Sequence, residues 1–245
     1  MKIEIVLTVS QSKKLIAHGV KQHPVVKTAL NNGTIAICRG TTCSYVAGEF
    51  LGNSLEPFSY TTGLTLPKNP YPEVTTPNSK LHDIIIRQGE IHMDGDTVIE
   101  ASRNMNAGDV IIKGANALNY EKKTAGCLVG HPTGGTVGGF WGILYGRKIH
   151  LVIPVGLEKE IACDIHTISR LSMDENPDTA LMPMIGNIVT EIEAIAILTG
   201  ASAYQIAAGG IRGAEGSVRL LICGTPEQIT TVKILVSEIE DETPY

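Results

Sequence analysis

Aromatic side chains are scarce in this chain: they make up 4% of 245 residues, and Trp141 is the sole tryptophan. That argues against stacking platforms for single-stranded nucleic acid. A basic stripe is missing as well, and with a formal net charge of −5 a dedicated nucleic-acid binder is not expected. No apolar run reaches the roughly 18 residues of a membrane-spanning helix. The opening MKIEIVLTVS lacks the charged, apolar and cleavage segments of a signal peptide, so no membrane association and a cytoplasmic location are expected. The five cysteines are an odd number without a CxxC pair, which fits reduced, buried thiols better than a disulfide framework or a zinc site. Cys163-Asp164-Ile165-His166 is a lone cluster, too little for a metal site; no metal and no cofactor are expected.

What remains is an ordinary globular composition, 43% hydrophobic and 18% charged, long enough for a sizeable core. Met1–Val9 reads as a strand, with Ser10 as N-cap of a helix through Gly19. His23-Pro24 breaks and restarts it, and Asn31-Asn32-Gly33 closes the second stretch in left-handed geometry. Buried strands are expected at Thr34–Cys38, Ile84–Arg87, Asp109–Lys113 and Ile149–Val155. A hairpin over 89–99 would turn at Asp94-Gly95. Residues 52–82, with five prolines, read as an irregular excursion lying near the turn after the first of these strands. Ile188–Leu198 reads as an apolar helix, followed by strands at 203–208 and 217–223 and a helix from Thr225 or Pro226 to Ile239. Alternating strands and helices give the expected fold class: α/β, a mainly parallel sheet flanked by helices (Rossmann-like), with a small C-terminal α+β subdomain. The expected division is a core at 1–180 and the subdomain at 181–245.

Two Gly/Thr turns carry the candidate chemistry. Arg39-Gly40-Thr41-Thr42 follows the strand Thr34–Cys38 and opens a helix. The run Gly130 to Gly139, with His131 and Gly134-Gly135-Thr136, opens another helix before Ile149–Ile153. A strand, a tight turn and a helix N-terminus aim backbone N–H groups and the positive end of the helix dipole at one spot. Two such cradles converging would suit a small anionic ligand. Arg39, Thr41 and Thr42 supply a guanidinium fork and two hydroxyls. Lys113, at a strand's carboxyl end, is a candidate anion partner, base or amine nucleophile; His131 is a candidate proton shuttle. Gly114 and Asn116 follow Lys113. Each has a plainer reading: Arg39 pairs with a surface carboxylate, Lys113 and His131 are solvated, and the glycines serve close packing. The glycines match neither G-x-G-x-x-G nor the Walker pattern. Cys43, if in the first helical turn, is either a dipole-activated thiol or a small packing residue.

The order of these units resembles the superfamily of ribose-5-phosphate isomerases, glucosamine-6-phosphate deaminases, CoA transferases and sugar-phosphate sensors. Arg39–Thr42 is similar to its first turn, and Lys113-Gly114-Ala115-Asn116-Ala117 to its D/N-G-A-D-like turn. Gly134-Gly135-Thr136 and Leu151–Pro154 follow in the same order, over roughly residues 34–160. The resemblance implies an isomerase or hydrolase acting on a sugar phosphate or acyl compound. Asn116 stands where the isomerases have an aspartate, and an amide is no general base at neutral pH. That departure leans to the other reading, a non-catalytic metabolite sensor. Oligomer contacts through the Gly-rich loops are a further reading, and a homo-oligomer is expected.

Overall fold

The computed structural model describes residues 1–52, 55, 59–62, 65, 81–92 and 95–243. The chain begins β1 (Lys2–Leu7), α1 (Val9–Gln22), α2 (Pro24–Asn32), β2 (Thr34–Ile37), α3 (Thr41–Leu51), β3 (Ile84–Arg87), β4 (Glu90–His92) and α4 (Val98–Ser102). It continues β5 (Val110–Ile112), β6 (Ala117–Asn119), β7 (Thr124–Val129), α5 (Gly135–Arg147), β8 (His150–Pro154), a 3₁₀ turn (Leu157–Lys159) and α6 (Ile165–Leu171). The last elements are β9 (Ala180–Met184), β10 (Asn187–Val189), α7 (Glu191–Thr199), β11 (Ser202–Ala208), β12 (Val218–Cys223) and α8 (Pro226–Glu238).

The fold is mixed α/β. A six-stranded sheet runs β10-β8-β5-β2-β3-β4; its first four strands are mutually parallel, and β3 pairs antiparallel with both β2 and β4. Two antiparallel three-stranded sheets accompany it, β1-β12-β11 and β6-β7-β9. The N-terminal β1 pairs with β12, and β10 pairs with β8. Hydrogen-bonded partners therefore lie on both sides of the expected 180/181 division.

The central strands read as near-continuous apolar runs because both faces are covered. Ile35 and Ile37, Ile84 and Ile86, and Val110 and Ile112 pack with Ile16, Val20, Val26 and Val46 of α1–α3. The alternate residues Ala36, Ile85, Ile111, Leu151 and Ile153 pack with Val98 of α4 and with Val137 and Phe140 of α5. Fully burying one such side chain contributes about 1.5–3 kcal/mol. At the α1–α7 crossing a Cβ on Gly19 would come within 2.7 Å of Ala194 Cβ, so only glycine allows this approach.

Several local expectations are corrected. The cap of α1 is Thr8, in a capping box with Gln11, and the helix starts at Val9, ahead of where Ser10 would place it. Gly33 is extended, not left-handed; the absent Cβ makes room for the Asp109 carboxylate, which accepts from Thr34 N at 2.7 Å. The hairpin turns at Gln88-Gly89, both at positive φ, while Val98 already belongs to α4. Asp94 lies outside the described residues. Ile188 and Val189 are strand β10, and the helix starts behind the capping box of Thr190 and Glu193. Of the 52–82 excursion, most lies outside the described residues. Tyr60 is buried and stitches its part of the excursion to the sheet. Its hydroxyl donates to Ile37 O (2.8 Å) and accepts from Ile84 N (3.2 Å), and its carbonyl accepts from Gly40 N (2.7 Å).

Candidate functional site

Where β2, β5 and β8 end side by side, each is followed by a basic residue. Arg39 lies two residues past β2, Lys113 one past β5, and Lys159 at the close of the 3₁₀ turn beyond β8. Neighbouring strands are about 4.8 Å apart, so three adjacent ends bring these residues to one edge. They line a cavity of about 530 Å³ together with Gly40, Thr41, Thr42, Gly114 and Asn116. Seven residues singled out in the sequence (Arg39, Gly40, Thr41, Thr42, Lys113, Gly114, Asn116) thus meet in one place.

The N-terminus of α3 forms part of the wall. Among the described residues no side chain caps it, and its first backbone bond is Ser44 N to Gly40 O at 2.8 Å. The N–H groups of Thr41, Thr42 and Cys43 therefore have no intrahelical acceptor. Thr42 is 2% exposed, and its Oγ1 is buried without a hydrogen-bond partner among the described residues. A buried hydroxyl left unsatisfied costs about 1–3 kcal/mol. A Cβ on Gly40 would meet no atom within 4 Å, because the space before it is the cavity.

Each cation is held. Arg39 Nε lies 3.6 Å from Asp83 Oδ1, and the other oxygen of that buried carboxylate accepts from Val98 N at 2.9 Å, at the start of α4. Arg39 does pair with a carboxylate, but a buried one, and it lines the cavity while doing so. Lys113 Nζ donates to Gly114 O at 3.2 Å and to the Cys127 sulfur. Burial works against its ammonium, whereas the contact with Cys127 and any ionisation of the Cys127, Cys38 and Cys43 thiols favour it, and the net direction is up. Burial likewise pushes the Cys43 thiol up and the Cys38 thiol well up. Cys43 does stand in the first turn of α3, yet burial outweighs the nearby Lys113 charge, and it is a packing thiol in its protonated form. Lys159 Nζ donates to Ala115 O at 2.9 Å.

Asn116 acts as a clamp: its Oδ1 accepts from Leu128 N at 3.0 Å, and its own N donates to Gly126 O at 2.8 Å. This holds β7 against the end of β5 and delivers Cys127 and Leu128 to the cavity. The lining also holds Thr61, Thr62, Thr65 and Thr179. Among the described lining residues there is no carboxylate and no imidazole.

The second cradle does not join the first. Of the Gly130–Gly139 run only Gly130 lines the cavity; His131, Gly134, Gly135 and Thr136 do not. The physical reason is that the run follows β7, a strand of the β6-β7-β9 sheet, rather than a parallel strand. His131 is exposed, and its Nδ1 lies 2.9 Å from Thr133 Oγ1 and accepts from Thr133 N at 3.2 Å. The glycines serve packing: a Cβ on Gly138 would overlap Thr133 O, and one on Gly139 would overlap Ile99 of α4.

Lys159, Cys127 and the four further threonines were not singled out from the sequence. A usable signal existed for Lys159, since Leu151–Pro154 is a buried strand closed by Gly156, the same strand-then-turn pattern that marks Arg39. Among the described residues no helix is long and apolar enough to cross a membrane. No family model, curated protein or solved structure matches the chain.

Proposed function

We propose that the cavity at the carboxyl ends of β2, β5 and β8 binds a small phosphorylated or carboxylated metabolite. The observation that carries this reading is the buried, unpartnered Thr42 hydroxyl beside the uncapped N-terminus of α3. Together they offer an oxyanion one hydroxyl and up to three backbone N–H donors. Arg39, Lys113 and Lys159 supply charge-assisted partners around the same space. The parallel run of strands with polar groups at its carboxyl edge supports a Rossmann-like reading of the core. The order of turns supports a sugar phosphate as the ligand type, through the resemblance noted above. Proton-transfer isomerisation would need a base, and the described lining supplies amide, thiol, hydroxyl and cationic groups instead. The function is therefore read as ligand binding, that of a metabolite sensor.

Thr42→Val separates this reading from a structural one, because its two effects have opposite signs. Replacing an unsatisfied buried hydroxyl by a methyl leaves stability unchanged or raises it by about 1 kcal/mol. The same change weakens inorganic phosphate binding by roughly 3- to 10-fold, the worth of one hydrogen bond. Isothermal titration of phosphate and a thermal melt give both numbers. Equal phosphate affinity in the two proteins would remove the reading's main support.

A further inference from the structure

Beside the cavity-lining Lys159 lies an ionic trio that ligand binding as described does not use. Lys13 of α1 is 5% exposed, and Glu191, the first residue of α7, is fully buried. Glu158 is in the 3₁₀ turn, next to the cavity-lining Lys159. Both Glu158 carboxylate oxygens are buried without a hydrogen-bond partner among the described residues. The Glu158 side chain folds back on the turn so closely that a Cβ on Gly156 would overlap its carboxylate. Glu191 grips the same turn from the other side, its Oε2 accepting from Leu157 N at 3.0 Å and its carboxylate also bonding Ser12 of α1.

We propose that Glu191 is a positioning residue of the anion site: it holds the turn that carries Lys159, and its proton sets the charge behind that lysine. An anion entering the cavity then draws a proton onto the trio. The inference rests on the cavity binding anions.

The groups that face one another are Lys13 and Ser12 from α1, Glu158 and Lys159 from the turn, and Glu191 from α7. Glu193, the next acid of α7, points instead to Thr190, Tyr120 and Lys123. Burial, and then the facing Glu158, push the Glu191 carboxyl up to about 7. Burial, and then Lys159, lower Lys13 to about 8, against the pull of Glu158 and Glu191. Both groups therefore exchange protons near neutral pH. Added negative charge in the cavity disfavours the Glu191 carboxylate and favours the Lys13 ammonium, so each shift takes up a proton. By reciprocity, the affinity for an anion falls as pH rises through about 7.

Sulfate is the probe, because its own charge is constant over this range. Calorimetric titration at pH 7, in buffers of different ionisation enthalpy, counts the protons taken up per sulfate bound. The wild-type protein takes up a fraction of a proton, and its sulfate affinity falls roughly five-fold between pH 6 and 7.5. Glu191→Gln keeps an acceptor for Leu157 N–H and cannot titrate, so it loses most of both effects. Sulfate binding without proton uptake in the wild type overturns the proposal even if the variant does not fold. Uptake unchanged in Glu191→Gln, or an affinity loss in it with the pH slope intact, also overturns it and leaves the cavity reading standing. If sulfate binds at no pH, both readings fail together.

Discussion

Lys13→Met lowers stability by about 3–5 kcal/mol at pH 7, where Lys13 is still mostly an ammonium, the size of effect expected when one member of a buried ionic group is removed. The variant leaves Glu158 and Glu191 facing each other without the ammonium whose charge favours their ionised forms. At pH 5.5 the Glu191 carboxyl holds its proton, so the two acids no longer face each other as like charges and the loss shrinks. Lys13→Met combined with Glu158→Gln regains most of the stability at pH 7, because the remaining acid no longer faces a like charge. Urea denaturation at the two pH values measures this, and a loss below about 1 kcal/mol that is equal at both would contradict it. Glu191 has its own signature in the wild type. The folded protein holds this proton up to about 7, above the ordinary 4.5. Its contribution is therefore a cost that is absent below about pH 4.5, grows as pH rises to about 7 and stays constant above.

Lys113→Met lowers phosphate affinity by about 10- to 100-fold, the range for losing a charge-assisted hydrogen bond of about 1.5–3 kcal/mol. The fold should survive, since Met fills the volume of the lysine stem and removes a buried charge instead of stranding one. The neighbouring Cys127 keeps its hydrogen bond to Leu128 O at 3.7 Å. Phosphate titration calorimetry reads the loss. An unchanged affinity would mean that the ammonium serves only its contacts to Gly114 and Cys127.

The sequence carried the elements whose signals are local. Thr34–Ile37, Ile84–Arg87, Val110–Ile112 and His150–Pro154 are runs of branched residues ended by turn formers, and all four are strands of the central sheet. The His23-Pro24 break separates α1 from α2 because Pro24 suits the first turn of a new helix. The β6-β7-β9 sheet was not legible. Thr124–Val129 carries Gly126, a poor strand former alone; it suits this strand because Leu181 of β9 packs where a Cβ would sit. Missing β7 also misplaced the second cradle, since the Gly130–Gly139 run then seemed to belong to the parallel sheet. The strand β10 was hidden because Ile188 and Val189 continue the apolar pattern of α7, and only pairing with β8 makes them extended. At the site, Arg39, Thr41, Thr42, Lys113 and Asn116 were legible because each lies in the turn or helix start after a strand legible by itself, β2 or β5. Lys159 arrives by way of a 3₁₀ turn, and Cys127 and Thr179 by way of the third sheet, which short-range patterns do not register.

An amide-resolved NMR titration with inorganic phosphate examines the donors at the α3 N-terminus themselves. The account predicts saturable shifts of the Thr41, Thr42 and Cys43 N–H signals, fitting one dissociation constant together with Gly114, while the signals of Gly134 and Gly135 stay in place. Saturable shifts at Gly134 to Thr136 with Thr41 to Cys43 unmoved, or no saturable shift anywhere, would contradict it.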